Sequence, residues 1–299
     1  MNNYDVIVVG GSCAGLTSAI YANRRAMKVL VLAKDFGGQM ALTMDIENYP
    51  GFKNISGPEL TEKMVEQVKS LGVEVKMQEV TKIEKMEKGF QVTAGAEIFE
   101  SKAVVLAFGL AHRHLNLPNE KELTGRGITY CATCDGPLFK NKIVAVVGGG
   151  NSAFDAVLYL SGICEKVYLL NRSNNFRAEN YLIDSVKSKS NVEIKTDVGI
   201  KEIIGTNKLE KVILNNDEEI NLNGLFVEIG YVPKTDFIKD FVELDKFGQI
   251  IVDEENKTST IGVFAAGDVT NEKCKQMVVA AGAGAKAGLS VAKFVHGGK

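Results

Sequence analysis

The stretch 142-KIVAVVGGGNSAFDAVLYL-160 decides the fold. An apolar, β-type run meets three glycines, Gly148-Gly149-Gly150, and passes directly into a small-residue segment of helical period. A second apolar run, Val167 to Leu170, follows. That order is strand, turn, helix, strand. Gly148, Gly150 and Ala153 satisfy the GxGxxA spacing of a dinucleotide fingerprint. The same arrangement occurs once more, near the N-terminus, as 4-YDVIVVGGSCAGLTSAIYANRR-25 followed by Val29 to Leu32. Two such units in 299 residues match the two domains expected at roughly 150 residues each.

The rest of the chain is organised around these units. Ile261 to Thr270, IGVFAAGDVT, reads as a strand running into a glycine–aspartate turn, and a long helix over roughly Gln276 to His296 follows it. This tail has no fingerprint of its own and must pack on something, the sheet of the first unit being one candidate. The expected fold is therefore α/β, with two Rossmann-like, three-layer dinucleotide-binding domains, the second inserted into the first. The expected boundaries are 1–113 with 244–299 for the first domain and 114–243 for the second, with hinges near Arg113–Pro118 and Glu243–Lys246. Val73–Val92 and Gly199–Ile220 read as strands and hairpins; Leu60–Leu71 and Ala178–Lys187 read as helices.

Composition excludes several classes of function. Residues are 45% hydrophobic and 24% charged, and the net charge is −2, so no basic field invites nucleic acid or an anionic membrane. No apolar run reaches the ~18 residues of a membrane span. MNNYDVIVVGG has no basic leader region, so a cytoplasmic protein is expected. Five cysteines are too few for a disulfide scaffold, and with three histidines and a single CxxC no structural metal site is expected.

In the first cluster, Gly10, Ser12 and Gly15 occupy the GxGxxG positions. A fingerprint of this kind needs a tight turn, a close backbone approach to a pyrophosphate and close helix–strand packing, and the helix N-terminus then supplies amide donors. Ser12 stands at the middle position, where its hydroxyl can donate to the phosphate. The ribose-binding acid expected about 20 residues on is missing from the end of the Val29–Leu32 run: Ala33 is there, then Lys34 and Asp35, and Asp35 is either a ribose ligand one turn later or a solvated charge. In the second cluster Gly148, Gly150, Asn151 and Ser152 are the candidate pyridine-nucleotide contacts, with Arg172 and Arg177 the candidates for a 2′-phosphate or simply surface arginines.

Just before the second fingerprint lies Cys131-Ala132-Thr133-Cys134-Asp135. A CxxC of this kind is either redox-active or half a metal site, and the absence of a second pair weakens the metal reading. An acid directly after the pair can carry the proton exchanged when a dithiol and a disulfide interconvert.

Nearly end to end, the chain resembles the low-molecular-weight thioredoxin reductases. The resemblance is carried by the first glycine cluster, Gly37-Gly38-Gln39, Ile46 to Gly51, CATCD with Gly136, GGGNSA, Gly267-Asp268-Val269 and Lys275-Gln276. It implies FAD in the first domain, NADPH or NADH in the second, thioredoxin as electron acceptor, and a homodimer. Carried over by position, FAD is expected at Gly10, Ser12, Ala14, Gly15 and Lys34, and at Gly38, Gln39, Asn48 and Val80. Gly109, Asp268, Gln276 and Met277 complete that set. The resemblance also implies that Cys131 and Cys134 form a disulfide reduced through the flavin. Cys134 would face the flavin, Cys131 would attack the partner, and Asp135 would handle the proton. A domain carrying both disulfide and donor must swing about its hinges if both are to reach one flavin.

The sequence departs from the family pattern at Ser12, at Ala33, at Phe108 in Ala107-Phe108-Gly109, and in the loop Asn171-Arg172-Ser173-Asn174-Asn175-Phe176-Arg177, which lacks the family's His and second Arg. The reading is an NAD(P)H-dependent reductase. A ferredoxin-dependent flavin thioredoxin reductase is the first alternative and an FAD-dependent dithiol oxidase the second. A docked flavin electron carrier and a nucleotide sensor with structural thiols are more distant rivals.

Overall fold

The computed structural model describes residues 3–42 and 46–297, so the outermost two residues at each end of the expected first domain lie outside the described residues. The chain divides into two compact units, one formed by residues up to Ala111 and from Val232 onward, the other by His112–Tyr231.

In the first unit, β1 (Asn3–Gly11) passes through Ser12 into α1 (Cys13–Asn23) and returns to β2 (Val29–Phe36), parallel to β1. Next comes α2 (Gly57–Ser70), which begins at Ser56, whose hydroxyl accepts from the Glu59 amide at 3.3 Å; a proline in its first turn places its start three residues ahead of the expected one. β3 (Glu74–Met77) extends the parallel sheet, and β4 (Val80–Lys85), β5 (Phe90–Ala94) and β6 (Glu97–Leu106) form an antiparallel meander. β6 is long enough for two roles. Its first half pairs with β5, and its second half lies parallel to β1.

After β7 (Ala111–His112) the second unit opens with α3 (Glu120–Leu123), β8 (Ile128–Thr129) and α4 (Ala132–Asp135). Its βαβ unit is β9 (Ile143–Val147), α5 (Asn151–Ser161) and β10 (Lys166–Leu170), followed by α6 (Asn180–Lys187) and β11 (Val192–Lys195). Three antiparallel strands, β12 (Ile200–Gly205), β13 (Leu209–Leu214) and β14 (Glu219–Asn221), precede β15 (Gly224–Val227). The parallel sheet has the order β11-β10-β9-β15-β8. β16 (Tyr231–Val232) pairs with β7 and returns the chain to the first unit. There β17 (Val263–Ala265) pairs parallel to β6, and α7 (Met277–Val295) closes the fold.

Strand alternation builds three layers in the first unit. Val6 and Val8 face a core with Leu16, Leu60 and Val291, while Ile7 and Val9 face the opposite core with Leu32, Val263 and Ile238. In the second unit Val144 and Val146 pack with Phe154, Val157 and Leu160 of α5, and Ala145 and Leu225 pack with Val212, Leu214 and Ile220.

Three expectations are corrected here. First, the return crossing falls at Tyr231/Val232, not near Glu243–Lys246. Ile238 and Val242 belong to the core of the first unit, and Phe237 stacks on Phe108 at 5.3 Å, so the segment after residue 231 is held by that unit. Phe108, one of the departures from the family pattern, is thus part of that anchor. Second, β2 does not stop at the apolar run. Gly11 pairs with Phe36 beyond a register shift, so the strand runs on past Ala33 and places exposed Lys34 and Asp35 at its end. Third, α7 is long and apolar enough by length and composition to cross a membrane, although Lys286 and Lys293 interrupt its apolar run. Its small residues are explained by α1: a Cβ on Gly284 would lie 2.2 Å from the Ala14 carbonyl oxygen, and one on Gly288 2.5 Å from that of Ser18. The two helix backbones meet there, as the expected packing of the tail on the first unit requires.

Candidate functional site

The first glycine cluster turns from β1 into α1. Gly10 has φ +125°, and a Cβ there would stand 2.2 Å from the Ala107 carbonyl oxygen, so only glycine fits this crossing of β1 and the end of β6. A Cβ on Gly15 would meet the Gly10 carbonyl oxygen at 2.0 Å, the close helix–strand approach a fingerprint requires. Ser12 is the N-cap of α1, yet its side chain makes no capping bond; its hydroxyl donates to the Gly37 carbonyl at 2.6 Å, and the Gly37 amide donates to the Gly11 carbonyl at 2.8 Å. Ser12 therefore fastens the Gly37–Gly38 turn to the fingerprint, and the first-turn amides of α1, beside Ala14, keep no side-chain partner.

Two of the residues expected near this helix start are tied to it: a Cβ on Gly38 (φ +52°) would lie 3.7 Å from that of Ser12, and the Asp268 charge acts on Cys13. Gly109 (φ +67°) is bare backbone, with nothing within 4 Å of a built Cβ. The Gln39 side-chain Nε2 donates to the Leu110 carbonyl at 3.3 Å. Asn48 and Gln276, far apart in sequence, are joined by a 3.4 Å hydrogen bond, and Met277 begins α7 beside them. Burial raises the Asp268 carboxyl above the usual carboxylate range, with Lys275 opposing it. The Lys275 ammonium donates to the carbonyls of Asp268 (3.0 Å) and Thr270 (2.7 Å), which fixes this turn. Cys13 lies within 3.2 Å of the Met40 sulfur, and burial together with the Asp268 charge pushes its thiol up to about 12, so it stays protonated. Val80 differs from the rest: its side chain is buried in the apolar core. An uncapped helix start beside open glycine backbone fits a dinucleotide pyrophosphate.

The second cluster repeats the design. Gly150 is the N-cap of α5 with no side-chain cap, and a Cβ there would meet nothing within 4 Å. Ser152 is exposed in the first turn. Asn151 is already engaged: it accepts from the Glu179 amide at 2.9 Å and donates to the Glu179 carboxylate at 3.2 Å. Arg172 and Arg177 are both exposed on one loop, and the Arg177 amide donates to the Gly149 carbonyl at 2.7 Å. Buried Asn171 braces that loop by donating to the carbonyls of Ser173 (2.7 Å) and Asn175 (3.1 Å). Sequence reasoning missed two acids here. Burial, with the charge of Asp155 next, pushes Glu228 up to about 8, and Asp155 is raised by burial and by Glu179. The Gly148 contact with the Glu228 backbone is what places this acid beside the fingerprint.

Cys131 and Cys134 are joined in a disulfide with Cα atoms 5.4 Å apart. Cys131 is the N-cap of α4, and its sulfur accepts from the Cys134 amide at 3.1 Å. Cys134 is exposed and Cys131 half-buried. The Thr129 hydroxyl donates to the Asp135 carboxylate and accepts from the Cys131 amide at 3.2 Å, so one side chain orients both the acid and the first cysteine. Thr129 carried no signal of its own in the sequence. Three residues past Asp135, in the turn that follows α4, Leu138 is an apolar side chain 69% exposed.

The pattern of the pyridine nucleotide-disulphide oxidoreductases matches residues 4–284. The chain belongs to that family. FAD and NAD(P)H are the cofactors this membership implies. The thioredoxin reductase of Lactococcus lactis is similar over 98% of this chain and 99% of its own, with 36% identity and a TM-score of 0.89. That of T. acidophilum is similar at 35% identity over the same shares, with a TM-score of 0.86. A ferredoxin-flavin thioredoxin reductase from Clostridium acetobutylicum is 33% identical over 99% of both chains, with a TM-score of 0.56. Among curated relatives, an alkyl hydroperoxide reductase subunit of Staphylococcus aureus is 38% identical over 98% of this chain. The chain spans 59% of the length of that relative.

Proposed function

We propose that this chain is a thioredoxin reductase, a flavoprotein that passes electrons from NAD(P)H through FAD and the Cys131–Cys134 disulfide to thioredoxin or a thioredoxin-like protein. The observation that carries the reading is a CxxC disulfide built as a helix cap, with an oriented acid beside it, on the unit that also holds an open glycine fingerprint.

Gly10, Ser12, Ala14, Gly15, Gly38 and Gly109 would hold the FAD pyrophosphate. Gln39, Asn48, Asp268, Gln276 and Met277 would lie along the rest of the cofactor, with Lys34 at the ribose end. Val80 would take part only through its backbone. Gly148, Gly150 and Ser152 would receive the nicotinamide dinucleotide, with Arg172 and Arg177 at its adenosine end. When bound, FAD supplies a two-electron relay between donor and disulfide.

The residues of the chain do the remaining work. Once the pair is reduced, the Cys134 amide stabilises a thiolate on Cys131, which makes Cys131 the attacking sulfur. Its attack on the partner's disulfide gives a mixed disulfide and releases a partner thiolate. Attack by Cys134 on Cys131 then frees the second partner sulfur and restores the Cys131–Cys134 bond. Asp135, held by Thr129, gives up and takes back the proton. A homodimer and a cytoplasmic location accompany this reading.

One observation favours a second donor. The loop that would recognise a 2′-phosphate is closed on itself by Asn171, and Asn151 is occupied by Glu179. A ferredoxin donor, as the name of the ferredoxin-flavin enzyme of Clostridium acetobutylicum has it, is the alternative that this supports. Anaerobic bleaching of the flavin with NADPH, NADH and enzymatically reduced ferredoxin in separate cuvettes tests the reading. Fast bleaching by a nicotinamide is the expected result. Bleaching by ferredoxin alone overturns the donor assignment, and a purified chain without flavin overturns the reading as a whole.

A further inference from the structure

Cys131 comes directly off β8, a two-residue strand at the sheet edge that pairs with β15 and is bridged at Ile128 to Thr124. These few backbone pairings end at Thr129, two residues before the first cysteine. The side chain in between is Tyr130. Its hydroxyl donates to the Glu120 carboxylate at 2.7 Å and lies 2.8 Å from His114 Nδ1. Glu120 is only 4% exposed, and it also accepts from the amides of Leu115 (2.8 Å) and Asn116 (2.7 Å), so it is a fixed anchor. The Tyr130 ring packs against His112, tilted by 38° with centroids 5.4 Å apart, and His112 packs against Tyr231 at 4.7 Å, tilted by 42°. His112 and Tyr231 are the first and last residues of the second unit, one on each strand by which the chain crosses between units.

We propose that Tyr130 is a positioning residue for the redox disulfide, tying Cys131 to the two points where the chain enters and leaves its domain. The contacts run Tyr231, His112, Tyr130, Cys131, with Glu120 as the fixed post. Closing a disulfide orders both cysteines, so a Cys131 that is already held favours the oxidised pair. Freeing it favours the dithiol. The coupling acts both ways, so a change in the stacking at the crossings reaches the thiol–disulfide equilibrium.

This inference rests on the disulfide being redox-active, as the proposed function has it, and the test separates the two. The purified flavoprotein is equilibrated in buffers of graded reduced-to-oxidised dithiothreitol, quenched by alkylation, and the Cys131–Cys134 state is read by peptide mass. Y130F, which keeps the ring, and E120Q, which keeps the side-chain shape, should each shift the equilibrium about tenfold toward the dithiol, or about 30 mV for a two-electron couple. H112A should shift it in the same direction, and H112F, which restores a ring, should return it to within threefold of the unmodified protein. Y130F and E120Q both within twofold of the unmodified protein would overturn the inference, as would H112F as displaced as H112A. A pair in the unmodified protein that no buffer reduces would overturn the reductase reading together with this inference. A pair that cycles normally while the variants do nothing would overturn this inference alone.

Discussion

Replacing Gly150 by alanine separates a nucleotide site from an ordinary glycine-rich turn. Gly150 has φ −105° and ψ −179°, extended backbone that any residue adopts, and its added Cβ would meet no heavy atom within 4 Å. Folding should therefore change little. Loss of a glycine N-cap and the stiffer unfolded chain oppose each other and leave a net change within about 1 kcal/mol. That is about 4 °C or less in melting temperature for a protein of this size. On the proposed reading, however, the methyl group would stand where a pyrophosphate approaches the amides of α5. A hydrogen bond to a charged group contributes about 1.5–3 kcal/mol, so one lost contact weakens binding roughly tenfold to a hundredfold. Calorimetric titration of NADPH and NADH, beside a thermal melt, measures both quantities. The neighbouring Gly148 is the control. It sits at φ +151° with the Glu228 carbonyl oxygen 2.2 Å from a built Cβ, so Gly148→Ala should destabilise the fold whether or not a ligand binds there. Dinucleotide binding by Gly150→Ala as tight as by the unmodified protein, with an unchanged melt, would refute the assignment of the second cluster.

Three further outcomes are expected. Burial pushes Glu228 up to about 8 from an ordinary 4.5; a raised acid adds stability that is complete below pH 4.5 and lost as pH rises through 8. The contribution is at most about 5 kcal/mol, so the urea midpoint should fall between pH 5.5 and 8.5, and Glu228→Gln should flatten that slope. Gly284→Val should lower stability by about 3 kcal/mol or more and release flavin, because its side chain must push α7 off the Ala14 backbone; an unchanged melt would show that α1 and α7 are not in backbone contact. Leu138→Glu should raise the KM for thioredoxin about tenfold while leaving flavin bleaching by the donor unchanged, since the exposed apolar side chain follows CATCD by three residues and lies outside both fingerprints. Equal losses in both assays would remove Leu138 from the partner surface.

Much of the site was legible because its parts are local in sequence. A glycine fingerprint is a strand, a turn and a helix start within about a dozen residues, and Gly10 and Gly148 show why: the turn permits no Cβ. CATCD is likewise complete in five residues. The side chains missed were those whose partners lie far along the chain or carry no motif. Thr129 is an ordinary strand residue until Asp135 folds back onto it. Glu228 is an ordinary acid until β15 buries it against the fingerprint. The placement of the return crossing was misjudged for a related reason, since the hydrophobicity of Ile238 and Val242 does not say which of two cores they enter.

By itself, the sequence determined that there are two βαβ units, that one is inserted in the other, that a dithiol pair with an adjacent acid precedes the second fingerprint, and which family the chain resembles. All of these are written in short-range spacing, which backbone geometry and helix and strand periods translate directly. Tertiary structure alone decided that Ser12 binds Gly37 rather than capping its own helix, that Asn48 meets Gln276, that Asn171 closes the loop bearing Arg172 and Arg177, and that Tyr130 joins the disulfide to the crossings. These depend on hydrogen-bonding groups brought together by the packing of distant strands. A hydroxyl or an amide has several possible partners in sequence, and burial leaves it only those the fold places within about 3 Å.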